Sequence, residues 1–519
     1  MTSRFVLGLV LASIVTPYAW SQGSAGAGSG AGSGSDEEEE ASGSAAHLVA
    51  PKDGKTRMEW LKEHLNGAIG GRPLLARAKI AAYVVDLATG AELYAHDADQ
   101  GMNLASNAKL LTSVAALGTL GSGFRWRTAV YVDDLADATG AVNGNLYVRG
   151  RGDPTLSVAD LRALADDVAA RGVRTVDGDL VLDTGYFDDQ VDPPHYADQP
   201  KERAGYRAPV ASLGVARSAV SVIVEPEPGG EAKVRLDPDA GDYVRLAKHE
   251  VKTVPDGRTK LKVEAKPARD HLAFEVTGQI RTADGSWDRR ERVDDPARFA
   301  GEVFRKLLAE RGVDIRHHAI RSGAVPQAAK LVAAHDSAPL SLVIREMNKM
   351  SDNYVAESVL KTLGAETRQA PGPATWADGT TAVAGYLAKL GIPPGSYRAE
   401  NGSGLYGASE VSAHQLVTLL RAAHADFRMG PDLVASLPVG GQDGTLAKRW
   451  HGHEAAGRVR AKTGTLDKVV TLAGYVGVDG GHLLAFAILV NDIPAGQRNP
   501  TRAMADEMID ALVAYLDAR

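Results

Sequence analysis

Two strand-rich stretches at opposite ends of the chain constrain its fold most. Between Lys79 and Asp97 the sequence runs Ile-Ala-Ala-Tyr-Val-Val-Asp-Leu, then a turn at Ala88-Thr89-Gly90, then Ala-Glu-Leu-Tyr-Ala-His. Alternation and turn chemistry make this a β-hairpin. Near the other end, Arg458 to Thr465, Val469 to Val478 and His482 to Asn491 are three further strand candidates. An amphipathic helix follows from Pro500 to Leu516, with Met504, Met508, Ile509, Leu512 and Leu516 on one face. Hairpin early and three strands plus helix late assemble one α+β domain on an antiparallel sheet. Strands from both chain ends then lie together, and the middle of the chain is looped out.

That middle has a different texture. From about Thr128, short strands alternate with turns: Ala129 to Val132, Gly144 to Arg149, Gly178 to Asp183, Ala219 to Val224, Ala232 to Leu236 and Leu272 to Gln279. Helices are fewer, with Val158 to Arg171 and Asp294 to Arg311 the clearest. We expect residues 129–330 to be an inserted, mostly-β region of two subdomains, and residues 56–128 and 331–519 to form one discontinuous domain. A short helix, Met58 to Leu65, opens that domain. After Leu331 the helical pattern resumes, with Pro339 to Met350, Asn353 to Leu363, Trp376 to Leu390 and Ser412 to His424.

The first residues read as an export signal over 1–21. A short basic start precedes an apolar run, Phe5 to Val15, and Ala19-Trp20-Ser21 offers a cleavage site. An uncleaved anchor is the alternative. Residues 22–55 are Gly/Ala/Ser-rich with the acidic run Asp36 to Glu40, the composition of a disordered tether. With 44% hydrophobic and 24% charged residues the remainder is ordinary globular sequence. The net charge of −7 and the lack of a basic cluster argue against a nucleic-acid partner. There are no cysteines, which excludes disulfides, thiolate metal sites and a cysteine nucleophile. His451-Gly452-His453 reads as a polar loop rather than a metal site.

Chemistry concentrates in three short patterns. The first is Ser106-Asn107-Ala108-Lys109, ahead of Leu110, Val114 and Leu117 at helical spacing. With Ser106 as N-cap, Ser106 and Lys109 lie on one face within mutual reach. A serine hydroxyl needs a base to act as nucleophile, and a lysine of lowered pKa can be that base. Alone the pattern is weak, since Ser358-Val359-Leu360-Lys361 also fits it. The second is Ser351-Asp352-Asn353, at a junction between two helices, where capping is the competing explanation. The third is Lys462-Thr463-Gly464-Thr465 on a strand; Lys-Thr-Gly is expected by chance about once in several thousand residues and occurs here once. Together they fit acyl transfer. Ser106 attacks a carbonyl and Lys109 takes its proton. Ser351 relays a proton to the leaving amine, and Asn353 holds the acyl donor and orients Lys109. Lys462, Thr463 and Thr465 bind a carboxylate, while Gly464 lets a substrate strand approach the sheet edge. The N–H groups of Ser106 and Thr465 form an oxyanion hole.

These three signatures, in this order, resemble those of penicillin-binding proteins and serine β-lactamases. The 245 residues from Ser106 to Ser351, against 111 from Ser351 to Lys462, resemble the low-molecular-mass class C group, peptidase family S13. Further segments look like that family: Gly152-Asp153-Pro154-Thr155-Leu156, Val176 to Leu180, Ala208-Pro209-Val210, Glu400 to Leu405 and Leu437 to Leu446. One departure is Ala211 to Arg217, which lacks an asparagine usual there. The resemblance implies a β-lactamase-like α+β transpeptidase domain with subdomains inserted between the first and second motifs. It implies serine-type D-Ala-D-Ala carboxypeptidase activity, with endopeptidase activity beside it, on peptidoglycan stem peptides in the periplasm. It also implies covalent inhibition by β-lactams, no cofactor or metal, and no membrane span after signal removal. Asp153 is either a rim residue that helps choose substrate or a turn residue before Pro154. A serine β-lactamase is the nearest alternative, although no Glu-x-x-Leu-Asn segment lies between Lys109 and Ser351. A non-catalytic wall- or β-lactam-binding protein is the other.

Overall fold

The computed structural model describes residues 48–519, apart from positions 318 and 479. The expected signal peptide, and the expected tether up to residue 47, lie outside the described residues. The first helix begins slightly before the sequence suggests, within the stretch expected to be tether. Asp53 accepts a hydrogen bond from the Thr56 amide and so caps a helix, Gly54–Gly70, twice as long as the apolar pattern alone indicates.

The sheet joins the two chain ends. Its strands run Val459–Leu466, Val469–Gly477, Leu483–Asn491, Lys79–Asp86 and Glu92–His96, all antiparallel. The hairpin strand Lys79–Asp86 pairs along its whole length with Leu483–Asn491, from Lys79 opposite Asn491 to Asp86 opposite Leu484. Both strands are buried on both faces, which is why they read as continuous apolar runs. Their residues nevertheless sort by parity. Ile80, Ala82, Val84, Phe486 and Ile488 pack with helices Gly54–Gly70 and Arg498–Asp517. Ala81, Val85, Ala485 and Ala487 face a helical layer on the other side. The small alanines let that layer approach closely. At its centre is Ala108–Leu120, whose first ten residues are all buried. Around it stand Leu340–Met350, Asn353–Thr367, Trp376–Lys389 and Ala413–Ala425.

The chain leaves and re-enters this domain through adjacent strands. Arg127–Val132 and Lys330–Asp336 pair antiparallel, so the looped-out stretch begins and ends at one place. They belong to a five-stranded sheet ordered Ile320–Ser322, Leu180–Asp183, Leu146–Arg149, Arg127–Val132, Lys330–Asp336. Leu146–Arg149, the helix Val158–Ala170 and the parallel strand Leu180–Asp183 form a βαβ unit, an arrangement the strand-and-turn texture did not suggest. The remaining strands form small sheets, including Trp287–Arg292 with Ala219–Glu225 and Lys233–Asp237. Val244–Val254, Leu272–Arg281 and Lys260–Pro267 make another. One apolar cluster runs through these elements from Val130 to Ala333.

Candidate active site

Ser106 sits at the seam between the sheet and the helical layer. It is not the N-cap that local sequence suggests. It occupies the middle of a single 3-10 turn, Ala105–Asn107, that feeds the helix Ala108–Leu120, and no side chain caps either start. Ala105 has φ +46°, a left-handed backbone that costs an alanine about 1 kcal/mol. Neighbours hold the turn in place. Thr471 Oγ1 donates to the Leu104 carbonyl at 2.8 Å and accepts from Asn107 Nδ2 at 2.6 Å. Gly404 presses on the turn so closely that a Cβ there would lie 1.9 Å from the Ala105 carbonyl oxygen. The Ser106 hydroxyl is thereby released from capping and left to meet Lys109.

Lys109 is fully buried. Its Nζ lies 2.9 Å from Ser106 Oγ, 2.7 Å from Asn353 Oδ1 and 3.1 Å from the Ser403 carbonyl. Burial pulls its pKa from 10.5 down to about 7, against the opposing pull of Glu357 and Asp352. A neutral amine has two N–H groups and one lone pair. Asn353 Oδ1 and the Ser403 carbonyl can only accept, so they take the two N–H groups. The lone pair is then directed at the Ser106 hydroxyl.

The second motif places each residue by its position between two helices. Ser351 closes Leu340–Met350 in a left-handed conformation, φ +57°. Asp352 caps the next helix through the Val355 amide, which leaves the Ser351 and Asn353 side chains for other contacts. Ser351 Oγ accepts from Lys462 Nζ at 2.9 Å. Asn353 Nδ2 donates to the Tyr206 carbonyl at 3.2 Å. Arg217 Nε pairs with Asp352 at 2.7 Å and also reaches Glu346. Arg217 lies among three consecutive left-handed residues, Ala216, Arg217 and Ser218.

Lys462 is buried on the edge strand Val459–Leu466, where its Nζ also donates to the Thr463 carbonyl at 2.7 Å. Toward one end of the strand this edge is covered. The Ala461 amide donates to the Pro438 carbonyl, and the Gly440 amide to the Val459 carbonyl. By the two-residue period of a strand, the backbone groups of Thr463 and Thr465 point the same way, onto the part of the edge that no strand or loop pairs with among the described residues. The Thr465 N–H is therefore aimed outward beside Ser106. Gly464 serves a different purpose from the one expected. A Cβ there would lie 2.3 Å from Thr471 Oγ1, 2.7 Å from the Leu104 carbonyl oxygen and 3.1 Å from Ser106 N. What glycine admits is the nucleophile turn itself. Thr463 Oγ1 meets Thr445 Oγ1 at 2.7 Å, and Thr465 Oγ1 lies 3.5 Å from Arg502 Nη2.

Ser106, Lys109, Ser351, Asn353, Lys462, Thr463, Gly464 and Thr465 are thus brought to one seam. Asp153 is not among them. It is 4% exposed, and its Oδ1 accepts from the Thr155 amide and hydroxyl, the turn arrangement. Its Oδ2 lies 3.9 Å from His335. Burial raises its pKa. The enclosed side chain adopts the turn arrangement. Sequence reasoning missed the Ser403 carbonyl, a backbone atom with no residue signature. It also missed Glu357, a fully buried acid one helical turn after Asn353. An acid inside the apolar run Tyr354 to Leu360 was the available signal. Among the described residues there is no cluster of metal-ligating side chains, and no helix is long and apolar enough to cross a membrane.

Comparison with known proteins gives matches over most of the chain. Residues 61–513 match the family model of the D-Ala-D-Ala carboxypeptidase 3 (S13) family. A D-alanyl-D-alanine carboxypeptidase of Actinomadura sp. is 37% identical over 452 residues, covering 84% of this chain and 81% of that protein. The carboxypeptidase DacB of Haemophilus influenzae is 26% identical over 412 residues, 76% of this chain and 81% of that protein. The crystal structure of penicillin binding protein 4 from H. influenzae superposes with a TM-score of 0.71 at 23% identity, over 86% of this chain and 98% of that one. It has the same α+β fold.

Proposed function

The chain belongs to the D-Ala-D-Ala carboxypeptidase 3 (S13) family, and from that premise we propose how its seam performs serine-type carboxypeptidase chemistry. Ser106 attacks the carbonyl of the penultimate D-alanine of a peptidoglycan stem peptide. Lys109, neutral in a good fraction of molecules near pH 7, takes the hydroxyl proton. The developing oxyanion lies between the N–H groups of Ser106 and Thr465. The terminal D-alanine leaves as its nitrogen is protonated through Ser351, whose hydroxyl is held by Lys462. Thr463 and Thr465, beside the Lys462 ammonium, receive the substrate carboxylate. Water then attacks the acyl-enzyme, with Lys109 again as base. A cross-linked stem presents the same acyl donor with a larger leaving group, so endopeptidase cleavage uses the same steps.

The observation that carries this reading is the buried Lys109 amine shared between Ser106, Asn353 and Ser403. A β-lactam ring mimics the acyl donor and should be trapped on Ser106; penicillin binding protein 4 of H. influenzae has been crystallised in complex with a β-lactam. The apolar run and cleavage pattern at residues 1–21 support export to the periplasm, where the wall substrate lies. Intact-mass spectrometry with benzylpenicillin tests the nucleophile. A lasting adduct on the wild-type protein and none on Ser106→Ala is expected. An adduct that vanishes within seconds while drug is consumed would indicate a β-lactamase instead, and no adduct on either protein would refute acyl transfer.

A further inference from the structure

Glu357 has no part in the steps above, yet its carboxylate is the most completely enclosed acid beside them. It lies on Asn353–Thr367, four residues after Asn353, and has no solvent exposure. Its Oε2 accepts from the Gly402 amide at 2.9 Å and from Trp376 Nε1 at 3.1 Å, and its Oε1 accepts from the Ser403 amide at 2.9 Å. These three partners are N–H donors, and the Ser403 hydroxyl is a further hydrogen-bond partner that favours the charged carboxylate. The carbonyls of the same two residues face the nucleophile helix. Gly402 O accepts from Thr112 Oγ1 at 3.0 Å, and Ser403 O accepts from Lys109 Nζ at 3.1 Å. Gly402 is packed so tightly that a Cβ would lie 2.5 Å from the Ala356 carbonyl oxygen. One carboxylate therefore fixes two peptide planes, and one of those planes fixes the amine.

We propose that Glu357 is a positioning residue for the acylation step: its anionic carboxylate locks the Gly402–Ser403 peptides so that the Ser403 carbonyl holds Lys109 with its lone pair toward Ser106, and its charge stabilises the ammonium formed when Ser106 gives up its proton. This rests on Lys109 being the base. Burial raises the Glu357 pKa, and the hydrogen bonds from Ser403, Gly402 and Trp376 oppose that rise by favouring the carboxylate. Glu357 is the foremost charge holding the Lys109 pKa up against burial, with Asp352 second. The other titratable groups around it are Tyr196, from the inserted region, and Lys361, one turn further along its own helix. Lys361 is paired with Asp188 at 2.5 Å and sits 3.8 Å from the Trp376 ring centroid, so its charge is already engaged.

The test is the second-order rate constant for acylation by a chromogenic cephalosporin, followed from pH 5 to 9 for wild type, Glu357→Gln and Glu357→Asp, with thermal unfolding of each. Glu357→Gln should lower the plateau about 10- to 100-fold, the range for a hydrogen bond to a charged group. It should also move the acid limb about one unit toward lower pH, because removing the negative charge makes the Lys109 ammonium a stronger acid. Glu357→Asp keeps the charge and withdraws the carboxylate from the loop, so its plateau should fall while its acid limb stays with the wild type. A folded Glu357→Gln with an unmoved acid limb would overturn the electrostatic role. Wild-type rates in Glu357→Asp would overturn the positioning role, whether or not Glu357→Gln folds. A wild-type profile flat from pH 5 to 8 would instead remove the lysine base on which the proposal stands.

Discussion

Replacing Gly464 by alanine tests how tightly the nucleophile turn is set against the sheet edge. The new Cβ would stand 2.7 Å from the Leu104 carbonyl oxygen, where ordinary contact begins near 3.4 Å, so that carbonyl must retreat by about 0.7 Å. It would also stand 2.3 Å from Thr471 Oγ1. That hydroxyl has two buried partners, the Leu104 carbonyl and Asn107. Rotating it away forfeits both hydrogen bonds, at about 1 kcal/mol each. Keeping it forces the turn or the strand to move, at about 1–3 kcal/mol for an overpacked site. Either way Ser106 shifts by a good part of an ångström, and a misplacement of that size costs about 10- to 100-fold in rate. The assay is the second-order acylation constant with a fluorescent penicillin, read beside thermal unfolding. Thr471→Val is the companion variant. It removes the same two hydrogen bonds without steric pressure, so it should lose less rate than Gly464→Ala. If Gly464→Ala acylates within threefold of wild type and unfolds at the same temperature, the turn is not pinned by this strand and the reasoning fails.

Three further outcomes follow from the same geometry. With the Lys109 pKa near 7, the wild-type acylation constant should level off above about pH 8 and fall close to tenfold per unit below about pH 6, since the ammonium has no lone pair to offer; a pH–rate profile checks this. Asp153→Asn should leave acylation unchanged and stabilise the protein at pH 7 by about 0.5–1.5 kcal/mol in denaturant melts. The folded Asp153 carboxyl has a raised pKa, so its contribution is fully present below pH 3.8 and is lost as pH rises through the folded value, a dependence that asparagine abolishes. Arg217→Ala should destabilise the protein by about 1–2 kcal/mol and slow acylation several-fold, because it strips Asp352 and Glu346 of their shared cation; unfolding and acylation measured on one preparation decide it.

What the sequence made legible follows from which physical signals are local. The central sheet could be read because its strands are long, buried and apolar, and because the turn at Thr89-Gly90 punctuates the hairpin. The three motifs could be read because acyl transfer asks for particular residue types in one chain order. The βαβ pairing of Leu146–Arg149 with Leu180–Asp183 could not, since four-residue strands carry too little pattern to fix direction. Nor could the local role of Ser106. A serine ahead of an apolar helix scores as a cap, and only the contacts of Thr471, Gly404 and Gly464 show that the chain instead makes a 3-10 turn with Ala105 left-handed. Asp153 shows the limit from the other side. Its neighbours resemble those of the family, but only burial distinguishes a turn residue from a rim residue.

The looped-out region is more than an appendage to this chemistry, and the asparagine of the second motif shows why. An amide side chain can sit either way round, and here its orientation is decided by two partners of fixed character. The Tyr206 carbonyl, from the inserted stretch, can only accept, so Nδ2 must face it and Oδ1 must face Lys109. Other links run between the same two parts. Arg217 pairs with Asp352, and Lys361 donates to Asp188 and to the Gln190 carbonyl at 2.9 Å. The helix that carries Asn353 and Glu357 is therefore held from the inserted side at its first turn and again two turns later. A chain trimmed of its insertion would keep Ser106, Lys109 and Lys462 in sequence but would lose the group that turns Asn353 toward the base. The long interval between the first and second motifs is thus part of what sets the lone pair of Lys109 on Ser106.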